Sequence, residues 1–402
     1  MAASQAASVV EKVIEHSDNA TVTIDVSNHD KGAYGQETGE KIKATTWQGK
    51  DSSRCQSQVL WMKVTVESVG PTVKKVKAGD RVVAAFPIAC GECRNCKEQL
   101  MSVCERTNEN SITHAIHGKR TAGVFGYSHF TGGFAGGQAE YVRVPYGDVN
   151  PLQLPADVPD EKGLYRSDVL ATAYHCVVDT GMKKGDVVAI WGGGPIGQMA
   201  VEYSFSQGAT RVILIDGGEG AWRLDFVKSK ISKLETIDFN NLPRGESILS
   251  QLKMIVPGGP DVALEFAAGE YAKGWAHYFE MLLGMETDTS EILNEMITAV
   301  RPFGRIGITG TNHFSIGALM QTGIRFIGNC QAPVQKYWEH LLKFIRRQEI
   351  NPLDMVTHRV PLENMPELYA AFERRDQGMQ KVYVQTRFSS PPAEGSPQLT
   401  DL

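Results

Sequence analysis

Residues 187–216 read VVAIWGGGPIGQMAVEYSFSQGATRVILID, a stretch that few folds can accommodate. VVAIW is an apolar run long enough for a buried parallel strand. Gly192, Gly194 and Gly197 follow at G-x-G-x-x-G spacing, a helical pattern runs from Ile196 to about Ser206 and stops at Gly208, and a second apolar run ends in Asp216. A strand–turn–helix–strand unit with an acid about 20 positions beyond its glycines is the fingerprint of dinucleotide binding. Gly192 permits the tight turn, Gly194 lets backbone N–H groups approach a pyrophosphate, and Gly197 lets helix and strand pack closely. Pro195 and Ile196 open the helix, whose N-terminus offers unpaired N–H groups and partial positive charge to phosphates. Asp216 is placed to accept the adenosine-ribose hydroxyls, which favours NAD(H) over NADP(H), and Arg223 lies close enough to soften that preference. A bare glycine turn with no ligand is the competing reading; both flanking strands and the acid argue against it.

The chain has 402 residues, more than one core usually organises, so about two domains are expected. A net charge of −5 argues against nucleic acid or an anionic membrane as a main partner. No run of apolar residues reaches membrane-spanning length, and MAASQAASVVEKVIEH lacks the basic start of a secretion signal. Seven cysteines in such a chain point to a reducing compartment, the cytoplasm, and to metal ligation.

In chain order, TVTIDV (21–26) and KIKATTW alternate like strands, and VLWMKVTVESVG and VKKVKAGDRVVAAF add a strand and a turn into another, as in a small β-barrel-like unit. Between 105 and 150 the chain is loop-rich and ends in a strand, AEYVRVP, where Tyr127 and His129 are candidate cleft residues. LYRSDVLATAYHCVVDTG reads as a helix leading into the dinucleotide unit. GPDVALEFAAG (259–269), FGRIGITG (303–310) and IRFIGN (324–329) continue a doubly wound sheet. QKYWEHLLKFIRRQ and LENMPELYAAFERRDQ read as helices, VYVQT (382–386) as a last strand, and SSPPAEGSPQLTDL as a disordered tail.

Cys90, Cys93, Cys96 and Cys104 are spaced C-x2-C-x2-C-x7-C. Four thiolates so close together can close around one tetrahedral ion, and a four-thiolate zinc site is structural because no position stays open for substrate. An iron–sulfur cluster is the rival, but the ferredoxin run has a shorter last gap and a following proline, where this chain has Glu105. Disulfides are the third reading.

Taken together, VESVGPTVKKVKAGDRVV, the four-cysteine lobe, GGFAGGQAEYVRVP, SDVLATAYHCVVDTG, GGGPIG, IDGGEGAWRLDFVK and VTHRVPLE resemble the zinc-containing medium-chain alcohol dehydrogenases, in particular the glutathione-independent formaldehyde dehydrogenases and their fungal relatives, from about Val64 to Phe388. The resemblance implies an α/β protein. A GroES-like β-rich catalytic domain with the zinc lobe (90–104) would span 1–165, and a doubly wound Rossmann nucleotide-binding domain 166–328. Residues 329–388 would return to the catalytic domain, and 389–402 would be a disordered tail. It further implies hydride transfer between nicotinamide and a small alcohol- or aldehyde-type substrate, in a homodimer or homotetramer.

Such enzymes hold a second, catalytic zinc on three protein ligands. The first falls on Gln48, the second at or near Leu60, and the third, the acid of SDVL, is Asp168. Lys50 stands where a proton-relay hydroxyl is usual. The sequence therefore reads as a family member with a structural zinc and an altered catalytic zinc site, the lone Cys55 being the remaining nearby thiol. Thr172 matches the position beside the nicotinamide, Arg223 and Lys273 match positions contacting ribose and phosphate, and Cys330 lies close to the nicotinamide. Lys50, Tyr174 and His175 are candidates for moving a proton without metal, although for each a purely structural role competes. Two alternatives stand beside this reading: a zinc-free reductase of a carbonyl-activated C=C or C=O bond, and a non-catalytic NAD(H)-binding protein. A mispredicted coding segment over 27–60 would restore an ordinary zinc site.

Overall fold

The structure, a computed structural model, describes residues 62–267 (apart from Ser128, Gln138 and Glu140), 290–309, 316–374 and 378–400. The strands expected at 21–26 and in KIKATTW lie outside them.

The first part is β-rich. β1 (Met62–Thr65) pairs antiparallel with β2 (Arg81–Ala84), which pairs antiparallel with β5 (Pro151–Gln153); between them the two-residue strands β3 (Pro87–Ile88) and β4 (Gly123–Val124) form a second antiparallel pair. Gly79, at φ +87°, makes the turn before β2 and donates to Val66 O at 2.8 Å. That left-handed conformation is cheap for glycine and costly for other residues.

The second part is a six-stranded parallel sheet of order β11-β10-β9-β6-β7-β8, with β6 at Val187–Trp191, β7 at Arg211–Asp216, β8 at Glu235–Asp238, β9 at Val262–Glu265, β10 at Arg305–Ile308 and β11 at Arg325–Gly328. Strand order reverses between β6 and β9, the crevice where such sheets bind ligands. Both faces are apolar, as a doubly covered sheet requires. Val188, Ile190, Val212 and Leu214 face one core with helices α1 (Val169–Asp179), α2 (Pro195–Ser206) and α7 (Val334–Arg346). Ala189, Trp191, Ile213 and Ile215 alternate onto the other, against α4 (Ile248–Ile255) and α5 (Ser290–Ala299). Helices α3 (Trp222–Lys230) and α6 (Ile316–Gln321) complete the connections. A parallel pair, β12 (His358–Pro361) and β13 (Val382–Gln385), packs against α8 (Met365–Glu373).

Two readings of the sequence differ from the structure, and one strand, β8, goes unread. AEYVRVP forms no strand over the described residues 141–145; Val142 and Val144 pack on the Ala84–Ile88–Phe125 cluster, so their alternation marks burial without a hydrogen-bonded ladder. β8 has too few apolar residues to be recognised and forms by pairing with β7. The segment after 388, expected to be disordered, is fastened down: Ser390 N donates to Asp160 Oδ2 at 3.0 Å, Ala393 N to Glu161 Oε2 at 2.8 Å and Thr400 N to Arg359 O at 2.8 Å. Its composition supplies no apolar core, but two buried carboxylates supply acceptors for its backbone.

Candidate functional site

The glycine turn follows directly from β6. Gly192 has φ +99°, and a Cβ there would sit 2.8 Å from the backbone of Phe266 and Ala267. A Cβ on Gly197 would run into Gly192 O, whereas one on Gly194 would meet nothing within 4 Å. The first and third glycines are therefore required by packing, and the second leaves the side of the turn that faces the crevice open. Gly194 is the N-cap of α2 and Pro195 its first residue, a position where a missing N–H costs nothing.

Asp216 ends β7 with 1% of its surface exposed. Its Oδ2 accepts from Gly193 N at 2.9 Å and its Oδ1 from Gly217 N at 2.8 Å, while Arg223 Nη1 stands 3.8 Å from Oδ2. The acid is locked to the turn by Gly193, the one glycine of the run outside the G-x-G-x-x-G spacing. Beside it, Trp191, Gly192, Ile215, Phe239, Ile248, Ala267 and Ile292 line an apolar cavity at the carboxyl ends of the strands.

A second group gathers at the start of α1. Thr172 Oγ1 donates to Asp168 Oδ1 at 2.5 Å, one helical turn apart. Burial pushes Asp168 up to about 6, held back by that hydrogen bond and by the charge of Lys381. Burial likewise brings Lys381 down to about 8, opposed by the charge of Asp168. An enclosed ammonium and carboxylate thus keep each other ionised. Cys330 is exposed as a residue, but its thiol turns inward and donates to Thr309 O at 2.8 Å; burial there and the charge of Asp168 push it up to about 12. Lys381 escapes a reading of the sequence, because nothing in MQKVYVQT distinguishes it from a surface lysine before a strand.

The proton-transfer candidates on α1 are engaged elsewhere. His175 Nδ1 is 2.8 Å from Tyr337 Oη of α7, and burial lowers its pKa. Tyr174 packs edge-on against Tyr203 and Tyr337 in the main core. Both make core contacts with α7, and neither joins the Asp168–Thr172 pair. Lys50, Lys273, Gln48, Cys55 and Leu60 lie outside the described residues; of the expected cleft residues Tyr127 is 56% exposed.

The four lobe cysteines are buried, and their sulfurs lie within 4.8 Å of one another. Cys90 and Cys96 Sγ are 3.9 Å apart, as are Cys93 and Cys104 Sγ. A tetrahedral zinc with thiolates at about 2.3 Å has sulfur–sulfur edges of about 3.8 Å. The spacing fits one zinc ion; it is far too long for a disulfide and too tight for a cluster of several irons. Backbone N–H groups of Cys93 and Glu92 point at Cys90 Sγ at 3.3 and 3.4 Å, and that of Cys90 at Cys104 Sγ at 3.4 Å. Such bonds orient thiolates and disperse their charge.

Residues 62–155 match the alcohol dehydrogenase GroES-like domain. The chain is 34% identical over 323 residues to a zinc-type alcohol dehydrogenase-like protein of Schizosaccharomyces pombe, a match covering 79% of this chain and 75% of the relative. The chain belongs to the zinc-type alcohol dehydrogenase-like family. It is also 32% identical over 351 residues to a glutathione-independent formaldehyde dehydrogenase of Pseudomonas aeruginosa, covering 81% and 82% of the two chains. Among solved structures, an alcohol dehydrogenase from Thermus sp. ATN1 superposes with a TM-score of 0.66 at 28% identity, over 80% and 81% of the two chains. The protein is thus an oxidoreductase of the medium-chain family, with the GroES-like and Rossmann architecture and a thiol cluster that fits the family's structural zinc. The altered catalytic zinc read at Gln48 and Leu60 rests on residues outside the described ones and gains no support from these zinc-type relatives. No helix among the described residues is long and apolar enough to cross a membrane.

Proposed function

We propose that this family member transfers hydride between NAD(H) and a small alcohol or aldehyde. The observation carrying the cofactor assignment is Asp216: a buried carboxylate held by Gly193 and Gly217 N–H groups at the rim of an apolar cavity, beside a turn left open at Gly194. On this reading the apolar residues Ile215, Phe239 and Ile248 would flank the adenine, Asp216 would accept from the ribose hydroxyls, and the N-terminus of α2 would face the pyrophosphate. Asp216 repels a 2′-phosphate, so NAD(H) is favoured, with Arg223 reducing the margin.

Nicotinamide, when bound, would accept or donate the hydride, and zinc held by Cys90, Cys93, Cys96 and Cys104 would stiffen the β-rich part. Thr172 and Asp168 form the wall of the reacting pocket, where the short hydrogen bond holds the threonine hydroxyl in one orientation. Lys381 keeps Asp168 ionised. Of the three positions expected to hold a catalytic zinc, Asp168 alone is described. Formaldehyde and other short aldehydes are the substrates that the named relatives suggest.

The test is NADH fluorescence titration of the zinc-loaded chain, followed by assays with short alcohols, short aldehydes and enones. Binding with aldehyde or alcohol turnover is expected. Binding with turnover of enones alone would assign the chain to zinc-free reductases, binding with no turnover would make it a silent binder, and absence of NADH binding would overturn the proposal.

A further inference from the structure

Residues 387–400, RFSSPPAEGSPQLT, cross the surface beyond β13 with little apolar burial. Phe388 touches Tyr141 edge-on at 5.8 Å, both rings part-exposed, and Ala393 grazes the main core. What holds the segment is hydrogen bonding to two adjacent carboxylates, Asp160 and Glu161, in the one-turn helix Asp160–Gly163. These are 2% and 3% exposed. Each turns one oxygen inward: Asp160 Oδ1 accepts from Arg81 Nε at 3.1 Å, and Glu161 Oε1 pairs with Arg359 at 2.8 Å, a pair 4% exposed on each side. Each turns its other oxygen to the segment. Asp160 Oδ2 takes Ser390 N, and Glu161 Oε2 takes both Ala393 N and the hydroxyl of Ser396. Beyond that point Leu399 lies beside Arg359 as a parallel bridge, so the segment also covers the edge of β12.

Attachment of this kind depends on charge. Ser396 is half-buried, it is followed by Pro397, and its hydroxyl is the one side-chain donor on Glu161 Oε2 within the segment. A serine before a proline, in extended chain beside a turn at 394–395, is the pattern that proline-directed protein kinases accept. We propose that Ser396 is a phosphorylation site and that phosphate there releases the strap 387–400 from Asp160 and Glu161. The transfer uses ATP: Ser396 Oγ bonds to the γ-phosphorus, the bond from that phosphorus to the β–γ bridging oxygen breaks, ADP leaves, and the hydroxyl proton passes to the kinase's base. The modification replaces a donor by acceptor oxygens carrying a charge of about −1.5 to −2, set against a buried carboxylate. Arg359, the cation beside Glu161, is already paired with it. Release leaves β12 with an open edge, a surface that another extended strand can pair with.

The experiment treats the full chain with ATP and a proline-directed kinase, maps phosphate by mass spectrometry, and follows amide hydrogen exchange. In the unmodified chain the hydrogen-bonded amides of Ser390, Ala393 and Thr400 are expected to be protected. Phosphorylated protein and Ser396→Asp are expected to exchange at all three at least about tenfold faster, with the amides of β6 unchanged. Ser396→Ala, which removes a donor without adding charge, is expected to keep Thr400 protected. No phosphate on Ser396, unchanged exchange after phosphorylation, equal release in Ser396→Ala, or loss of protection in β6 as well would each overturn the proposal.

Discussion

Gln380 donates from its side-chain amide to Gln198 Oε1 at 2.8 Å, with 5% and 0% of the two residues exposed. Gln198 follows the last glycine of the nucleotide turn and donates onward to Asp354 O at 2.9 Å; Gln380 immediately precedes Lys381, the lysine beside Asp168. One buried amide pair therefore ties the helix that follows the glycine turn to the segment that enters β13 and carries Lys381.

Breaking that pair leaves a buried acceptor without a donor. Gln380→Leu is expected to lower unfolding stability by about 1–3 kcal/mol, read as the shift of a urea midpoint at constant slope. An unshifted midpoint would show that the bridge contributes nothing net.

Asp216→Ala removes the acceptor for two ribose hydroxyls and also strands Gly193 N. NADH affinity is expected to fall by about 10- to 100-fold, the equivalent of one or two hydrogen bonds to a charged group, with a smaller loss for NADPH. Arg223→Ala should widen the preference for NADH. Fluorescence titration with both cofactors measures each; equal losses for the two in Asp216→Ala would remove Asp216 as the discriminating group.

Cys104→Ala takes one of four thiolates from the lobe. Zinc content is expected to fall by about one ion per chain, with protease cutting appearing within 90–104 as the lobe loosens. Elemental analysis reads the first effect and peptide mapping the second. Unchanged zinc content would place the metal elsewhere.

Glu202, on α2, is enclosed, with its Oε1 unpartnered; burial first, and then the charge of Asp354, push it up to about 8 from 4.5. The folded state holds a proton that the unfolded chain releases between those values, so stability falls as pH rises from about 4.5 to 8 and levels off above. Glu202→Gln should flatten this slope, so that its stability relative to the parent chain rises between pH 5 and pH 8 by up to about 4 kcal/mol. Urea unfolding of both proteins at the two pH values tests the sign, and a parallel pair of profiles would refute it.

Much of the fold and half of the site were legible because their signals are local. The G-x-G-x-x-G turn, its strands and Asp216 lie in one 30-residue stretch, and Gly192 and Gly197 are demanded by backbone clearances within it or beyond the neighbouring strand β9. The thiol lobe is legible for the same reason, since four ligands in one loop can reach one ion whatever surrounds them. AEYVRVP shows the limit of this reading: its alternation reports burial of Val142 and Val144, and burial is shared by strands and by loops that pack.

By itself, then, the sequence determined the doubly wound unit and the four-thiol cluster, because periodicity and ligand spacing act over a few residues, and its motifs carried the resemblance to the family. The tertiary structure alone decided which distant groups meet. Lys381 comes to Asp168, Gln380 to Gln198, and a polar segment rich in proline and serine settles on Asp160 and Glu161. Those contacts join residues far apart in the chain, and a buried charge or amide finds its partner only once the apolar core has placed both elements; no local pattern encodes it.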